Sequence, residues 1–246
     1  MNSKVLLRRL IIAVALAGAQ ALPQTAPEDS QSPTGVIERP QGFQWGQAVW
    51  QSFLFNGIEH SFRLTQAKTR NELHGKFFED YRQSVANLHG WGDGDSPLTN
   101  YIAHPMQGAV AGFIQVQNDP AGIGREFGRD GAYWRSRFKS MAWSAVYSTQ
   151  FEIGPISEAT IGNVGKKRGT AGYSDLVVTP IGGLGMTVLE DAVDRYIVRR
   201  FVSPGRGLNW QRFLRMALNP HRSLANVLRS KRPWHRDTRS LSRSQF

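Results

Sequence analysis

"TNYIAHPMQGAVAGFIQVQ", residues Thr99 to Gln117, is the most apolar part of the chain after its N-terminus, and its composition is peculiar. His104, Pro105, Gln107 and Gln115 interrupt it, and small residues recur at Gly108, Ala111 and Gly112. Small residues four apart leave one side of a helix flat, so that a neighbouring backbone can come close. Proline has no N–H and disfavours helical dihedrals in the residue before it. The helix therefore starts at Pro105 or kinks there, with His104 at an entrance or bend. The stretch reads as a helix shaped to dock on other helices.

Its neighbours in sequence point to the same class. In "LVVTPIGGLGMTVLEDAVDRYIVRRF", Thr179 is placed to cap a helix with Pro180 at its first position, and Gly182, Gly183 and Gly185 keep that helix thin. Gly108 and Gly112 on one helix, with Gly182 and Gly185 on the other, are the expected packing positions. Before them, Trp50, Leu54, Ile58 and Phe62 recur at every fourth position and predict an amphipathic helix buried by that face. Thr69-Arg70-Asn71-Glu72 has the capping-box pattern, followed by a stripe of Leu73, Phe77, Tyr81, Val85 and Leu88 that ends in the glycine-rich "HGWGDGDSP". A further helix over 132–151 carries Trp134, Phe138, Met141, Ala145 and Thr149 on one stripe, which Glu152 extends. No segment sustains period-two alternation bounded by turns, so neither a sandwich nor an outer-membrane barrel is supported. The expected fold is all-α, a helical bundle with thin glycine-rich helices.

The ends of the chain differ from this body. Lys4, Arg8 and Arg9 precede an apolar run that closes on Ala19-Gln20-Ala21, the pattern of a cleaved secretory signal over residues 1–21. Residues 22–44, rich in Pro, Gln, Ser and Thr, read as a disordered linker ahead of a helical core over 45–201. There is no cysteine, hence no disulfide, thiolate site or lipidated Cys. The net charge of +11 is concentrated: from Arg195 to the end there are 13 Lys/Arg against one acid, while the rest of the chain is nearly neutral. Within the segment 202–246, Trp210 and Trp234 mix with Arg212, Arg215, Arg222, Arg229, Lys231 and Arg232. Aromatics among cations suit an anionic lipid or envelope surface. The same segment could equally dock its apolar side on the core and leave the arginines solvated. Export argues against nucleic acid as a partner.

The motifs "TNYIAHPMQG", a Glu before "GPIS", and "SDLVVTPIGG" resemble an uncharacterised family of exported bacterial envelope proteins, across roughly residues 92–191. That family shows an Asn-x-x-x-His-Pro helix, a Glu with a Pro-Ser pair, and Asp-Leu-x-x-Thr-Pro-x-x-Gly. The chain departs from it in the spacing of "GPISEA" and in a carboxylate that comes only at Glu190 rather than directly after the glycines. The resemblance implies a helical envelope protein and carries no activity with it.

Two functions follow as expectations. The first is an exported helical protein associated with a membrane surface, in a binding or organising role. The alternative is a small envelope hydrolase in which His104 is the acid/base and Glu152 and Asp175 are orienting or metal-binding carboxylates. The bland counterpart of the second is that these three side chains satisfy buried helix ends. No cofactor is predicted, and a divalent metal has no compact signature such as His-Glu-x-x-His behind it. "DGDS", Asp93 to Ser96, lacks the rest of a calcium loop and reads as a turn. "GIGREFG" and "GGLG" match neither the phosphate-loop nor the dinucleotide spacing, so no nucleotide is expected. Ser157 and Ser174 stand in no nucleophile elbow. His60, His74 and His89 are expected at the surface.

Overall fold

The computed structural model describes residues 42–65, 69–70, 77–160, 172–201 and 207–238. The expected signal peptide, nearly all of the expected linker, and residues 71–76 with the stripe residue Leu73 lie outside them. The described residues from 42 onward belong to one compact unit, which takes in residues 207–238 of the basic C-terminal segment. The fold is all-α, with no strand among the described residues.

The helices are α1 (Trp45–Arg63), α2 (Phe77–Ala86), α3 (His104–Asn118), α4 (Gly131–Ile153), α5 (Ser174–Val193), α6 (Leu208–Ala217) and α7 (Pro220–Leu228). The central element is α3, packed against α5, α4, α7 and α1. Of its fifteen residues only Met106 is not buried. A π-helical turn, Thr99–Ala103, runs straight into α3. His104 is the first residue of α3, as an entrance should be, but its φ of −63° and ψ of −44° are helical. The wider π turn before Pro105 lets the chain stay helical across a ring that would otherwise clash with the preceding turn.

Helix α5 begins at Ser174, earlier than the cap assigned to Thr179, so that Thr179 and Pro180 are both interior and buried. It continues through a π segment, Asp194–Val198, to Phe201; Ser174–Phe201 is long and apolar enough to cross a membrane by length and composition.

The crossing of α3 and α5 is close, with glycines where the two backbones meet. A Cβ on Gly183 would stand 2.5 Å from the backbone of Gly108, one on Gly108 would collide with the carbonyl of Thr179, and one on Gly182 would stand 2.6 Å from the Pro105 ring. Gly108 and Gly182 thus pack as expected, and Gly183 joins them. Gly112 is looser, since a Cβ there makes ordinary contact at 3.4 Å with Thr187. Gly185 is no packing position: nothing lies within 4 Å of its added Cβ. Two residues beyond Gly183, it has turned away from α3.

The larger correction concerns which faces are buried. In α1 the inward residues are Ala48, Gln51, Phe55, Asn56 and His60, whereas Trp50, Ile58 and Phe62 of the apolar stripe are exposed. In α4 the inward row is Ser136, Ser140, Ser144 and Ser148, four apart, with Tyr133, Arg137, Tyr147 and Phe151 beside it. Phe138 and Val146 of α4 face out, as do Val177, Ile181 and Leu189 of α5. Small and polar side chains let these helices approach closely, and the bulky apolar ones are left outside. An apolar core does exist, formed by Phe55, Val110, Phe113, Ile114, Tyr147, Phe151 and Leu228 with several alanines. Even so, buried polar and charged residues outnumber buried apolar ones by about two to one among the described residues.

Candidate active site

Four elements bring chemistry to one place. His104 opens α3, Glu152 lies in the last turn of α4, and Asp175 in the first turn of α5. One ligand atom from each lies within 4.8 Å of the other two. His104 and Asp175 are buried and Glu152 is half-buried. The three residues singled out in the sequence are therefore brought together. The serine row helps to set the spacing, because Ser148 of α4 donates to the Asp175 carbonyl at 3.0 Å.

The fourth contribution, Asp93, comes from the glycine-rich loop. It is the turn that "DGDS" suggests, with the Asp95 amide donating to its Oδ1 at 3.0 Å. Asn100 donates to the same oxygen at 2.8 Å. Gly90 and Gly94 take positive φ, which allows the loop to fold back sharply. The amides of Tyr173 and Ser174 then donate to the carbonyls of Gly90 and Trp91, both at 3.0 Å, and tie the loop to the start of α5. The approach is so close that a Cβ on Gly172 would stand 2.5 Å from the Trp91 carbonyl oxygen. This brings the Asp93 and Asp175 carboxyls into hydrogen-bond contact. Such a contact requires a proton, and Asp175 holds it: burial, then the bond to Asp93 and its charge, raise Asp175 to about 8. Asp93 is held low, against its own burial, by bonds from Asp175, Asn100 and the Asp95 amide.

Burial, followed by the nearby Asp175 and Glu158 carboxylates, pushes Glu152 well above the usual range. Burial also lowers His104, a shift that its bond to Gln107 only partly opposes. The two ring nitrogens of His104 have different surroundings. Nδ1 is 3.1 Å from Gln107 Oε1. Gln107 Nε2 in turn donates to Glu59 Oε2 at 3.1 Å, and Tyr147 donates to the same oxygen at 2.6 Å. The carboxylate of Glu59 thus orients the amide of Gln107 so that its oxygen faces His104, and His104 must then carry its proton on Nδ1. That leaves a lone pair on Nε2, which is buried, makes no hydrogen bond, and lies 3.5 Å from Asp175 Oδ2.

Around this centre, Arg63 Nε pairs with Glu158 at 3.0 Å, and His60 stacks on Phe151 with ring centroids 4.9 Å apart. His60 is therefore buried rather than at the surface, with Nε2 against the Ile156 carbonyl. His89 is half-buried, and His74 lies outside the described residues. Sequence reasoning missed Asp93, Gln107, Glu59 and Tyr147. Only Gln107 left a local signal, since three residues after His104 it shares the same helix face.

The basic segment docks on the core. Glu190 of α5 accepts from the amides of His221 and Arg222 at 2.9 and 3.2 Å and so caps α7, and its Oε1 also lies 2.8 Å from His221 Nδ1. Arg222 pairs with Asp191 and lies over the Phe113 ring, Arg229 pairs with Asp237, and Arg236 pairs with Asp194. Arg215 is buried and donates to the Trp234 carbonyl, while Arg212 lies over the Trp234 ring. Of the residues expected to meet a membrane, Arg215 is thus buried, and Arg222 and Arg229 are half-buried with their charges paired within the protein. Trp210, Lys231 and Arg232 are exposed.

Comparison with protein-family models, with curated proteins and with solved structures finds no match to this chain. The resemblance to the exported envelope family rests on the quoted motifs alone.

Proposed function

We propose that this protein is an exported hydrolase working at a membrane surface, with His104 as acid/base and Glu152 and Asp175 as its carboxylate partners. The observation that carries the reading is the convergence of these three side chains, from three helices, within 4.8 Å. Groups so spaced can reach one substrate atom directly or through one water. The Nε2 lone pair of His104 takes a proton from an attacking water. Gln107 holds the Nδ1–H and keeps the ring in that tautomer. The Asp175 carboxyl, bonded to Asp93, has a proton to give to a leaving oxygen.

The N-terminal pattern supports export, and the apolar exterior of α1, α4 and α5 supports a lipid as the substrate class. Between α1 and α4 an apolar groove of about 190 Å³, lined by Val49, Phe53, Trp143 and Val146 among others, offers space of the right character for an acyl chain.

The test uses the mature chain and vesicles of mixed anionic and zwitterionic phospholipids, with products followed by mass spectrometry. His104→Gln should lower turnover by about 10²- to 10⁴-fold, the usual share of acid–base catalysis, while helicity and vesicle binding stay unchanged. The organising role is favoured instead by the exposed apolar side chains alone. Vesicle binding without turnover of any ester or phosphoester would select it and end the hydrolase reading.

A further inference from the structure

The donor set at the head of α3 has the composition and spacing of a cation site. We propose that His104 Nε2 and one carboxylate oxygen each from Glu152 and Asp175 bind a single divalent cation of the zinc or manganese type. This deepens the hydrolase reading, rests on the same cluster and changes one role in it: with an ion held, the His104 Nε2 lone pair and a deprotonated Asp175 would be ligands, and the ion rather than the imidazole would supply the activated water.

Three atoms within 4.8 Å of one another fit inside a circle of radius 4.8/√3, about 2.8 Å, so one ion can be near all of them. Zinc–nitrogen and zinc–oxygen bonds are about 2.0 to 2.2 Å, so each donor has to move roughly half an ångström, which side-chain torsions supply. The independent sign of a missing ligand is the imidazole. His104 is 5% exposed, its Nε2 has no hydrogen-bond partner, and that nitrogen points at the carboxylates rather than away from them. A buried nitrogen without a partner is unfavourable unless something occupies its lone pair.

The surrounding shell matches what ligating groups require. A metal-bound histidine commonly has its other nitrogen held by a hydrogen bond, which here comes from Gln107 backed by Glu59. A ligating carboxylate is commonly anchored by a neighbour, and Asp93 contacts Asp175 while Asn100 fixes Asp93. One imidazole with two carboxylates favours a borderline cation over calcium or magnesium, which prefer oxygen alone. Three protein donors leave a position for water, as in catalytic rather than structural zinc sites. The chain has no cysteine to compete for the ion.

The mature protein, freed of metal by chelator and dialysis, is titrated with ZnCl₂, MnCl₂ and MgCl₂ in a calorimeter, and its melting temperature is followed in parallel. Zinc or manganese should bind one per chain and raise the melting temperature by about 5–10 °C at a hundredfold excess over Kd. Magnesium should do neither. His104→Gln and Glu152→Gln should each weaken binding at least about tenfold, whereas His235→Gln in the C-terminal segment should leave it unchanged. Circular dichroism identifies any variant that fails to fold, and the remaining one decides. Absence of stoichiometric binding, or binding indifferent to both substitutions, would overturn the proposal. Metal binding without lipid turnover would uphold the site and sink the hydrolase. Turnover insensitive to chelator, with no metal bound, would do the reverse.

Discussion

Glu59 takes hydrogen bonds from Tyr147 and Gln107 on one oxygen, yet it sits where an ionised carboxylate is poorly solvated. Burial raises it to about 7, against the bonds from Tyr147 and Gln107. The unfolded chain releases this proton near 4.5, so between about 4.5 and 7 the folded state alone retains it. Stability from this residue is therefore fullest at the acid end, falls as pH rises through that window by on the order of 3 kcal/mol in all, and is level above it. Glu59→Gln should flatten the corresponding part of a urea-denaturation series run from pH 4 to 8. An unchanged slope would mean that Glu59 is better solvated than its surroundings imply. At this scale the sequence was partly readable. His104 stood out because it interrupts an apolar run, Glu152 because it ends an apolar stripe, and Asp175 because it stands just before the thin glycine-rich stretch. Glu59 and Asp93 did not, because only tertiary folding brings them from 48 and 82 positions away in the chain to their partners Gln107 and Asp175.

At the scale of elements, periodicity gave the helices and misjudged their orientation. The fourfold repeat of Trp50, Leu54, Ile58 and Phe62 correctly predicts a helix, but a repeat fixes only which residues share a face. The further inference, that the apolar face points inward, does not hold for this helix. Here the closest packing relies on glycine and serine instead. Gly183→Ala should destabilise the protein by about 1–3 kcal/mol, since its Cβ would meet the Gly108 backbone, which cannot swing aside as a side chain can. Gly185→Ala, two residues along the same helix with open space around it, should stabilise by about 0.5–1 kcal/mol through helix propensity. Thermal melts of the two variants settle the crossing: equal shifts would mean that α3 and α5 do not approach as described. The start of α5 was misplaced for a related reason. Thr179-Pro180 has the local chemistry of a helix start, but the loop at Gly90 and Trp91 supplies tertiary bonds to the amides of Tyr173 and Ser174 and extends the helix backwards.

At the scale of the whole molecule, the basic charge excess is partly neutralised from within. Asp191 receives Arg137 at 2.6 Å, Tyr133 at 3.0 Å and Arg222 besides, and so joins α4, α5 and α7 at one carboxylate. Asp191→Asn would leave Arg137, which has no exposed surface, without its counter-charge, and should destabilise by about 3–5 kcal/mol. The loss should appear in denaturant melts and persist at high salt, because buried pairs are screened little. A loss that vanished in salt would place the pair at the surface. Charge counting along the sequence located the basic segment correctly, but it could not tell arginines facing Asp191, Asp194 and Asp237 from arginines free to meet lipid.

The inversion of α1, α4 and α5, with serines and carboxylates inside and Trp50, Phe138 and Ile181 outside, also has a calorimetric consequence. The heat capacity of a water-soluble domain rises by about 12–15 cal/mol/K per residue on unfolding, because apolar surface newly meets water. Much of the large apolar surface of this protein is already outside the fold, and what unfolding would release is rich in polar groups, whose hydration lowers heat capacity. Its increment should fall well below that range. A small increment flattens the dependence of stability on temperature, so that cooling would weaken this fold less than it weakens one held together by an oily core.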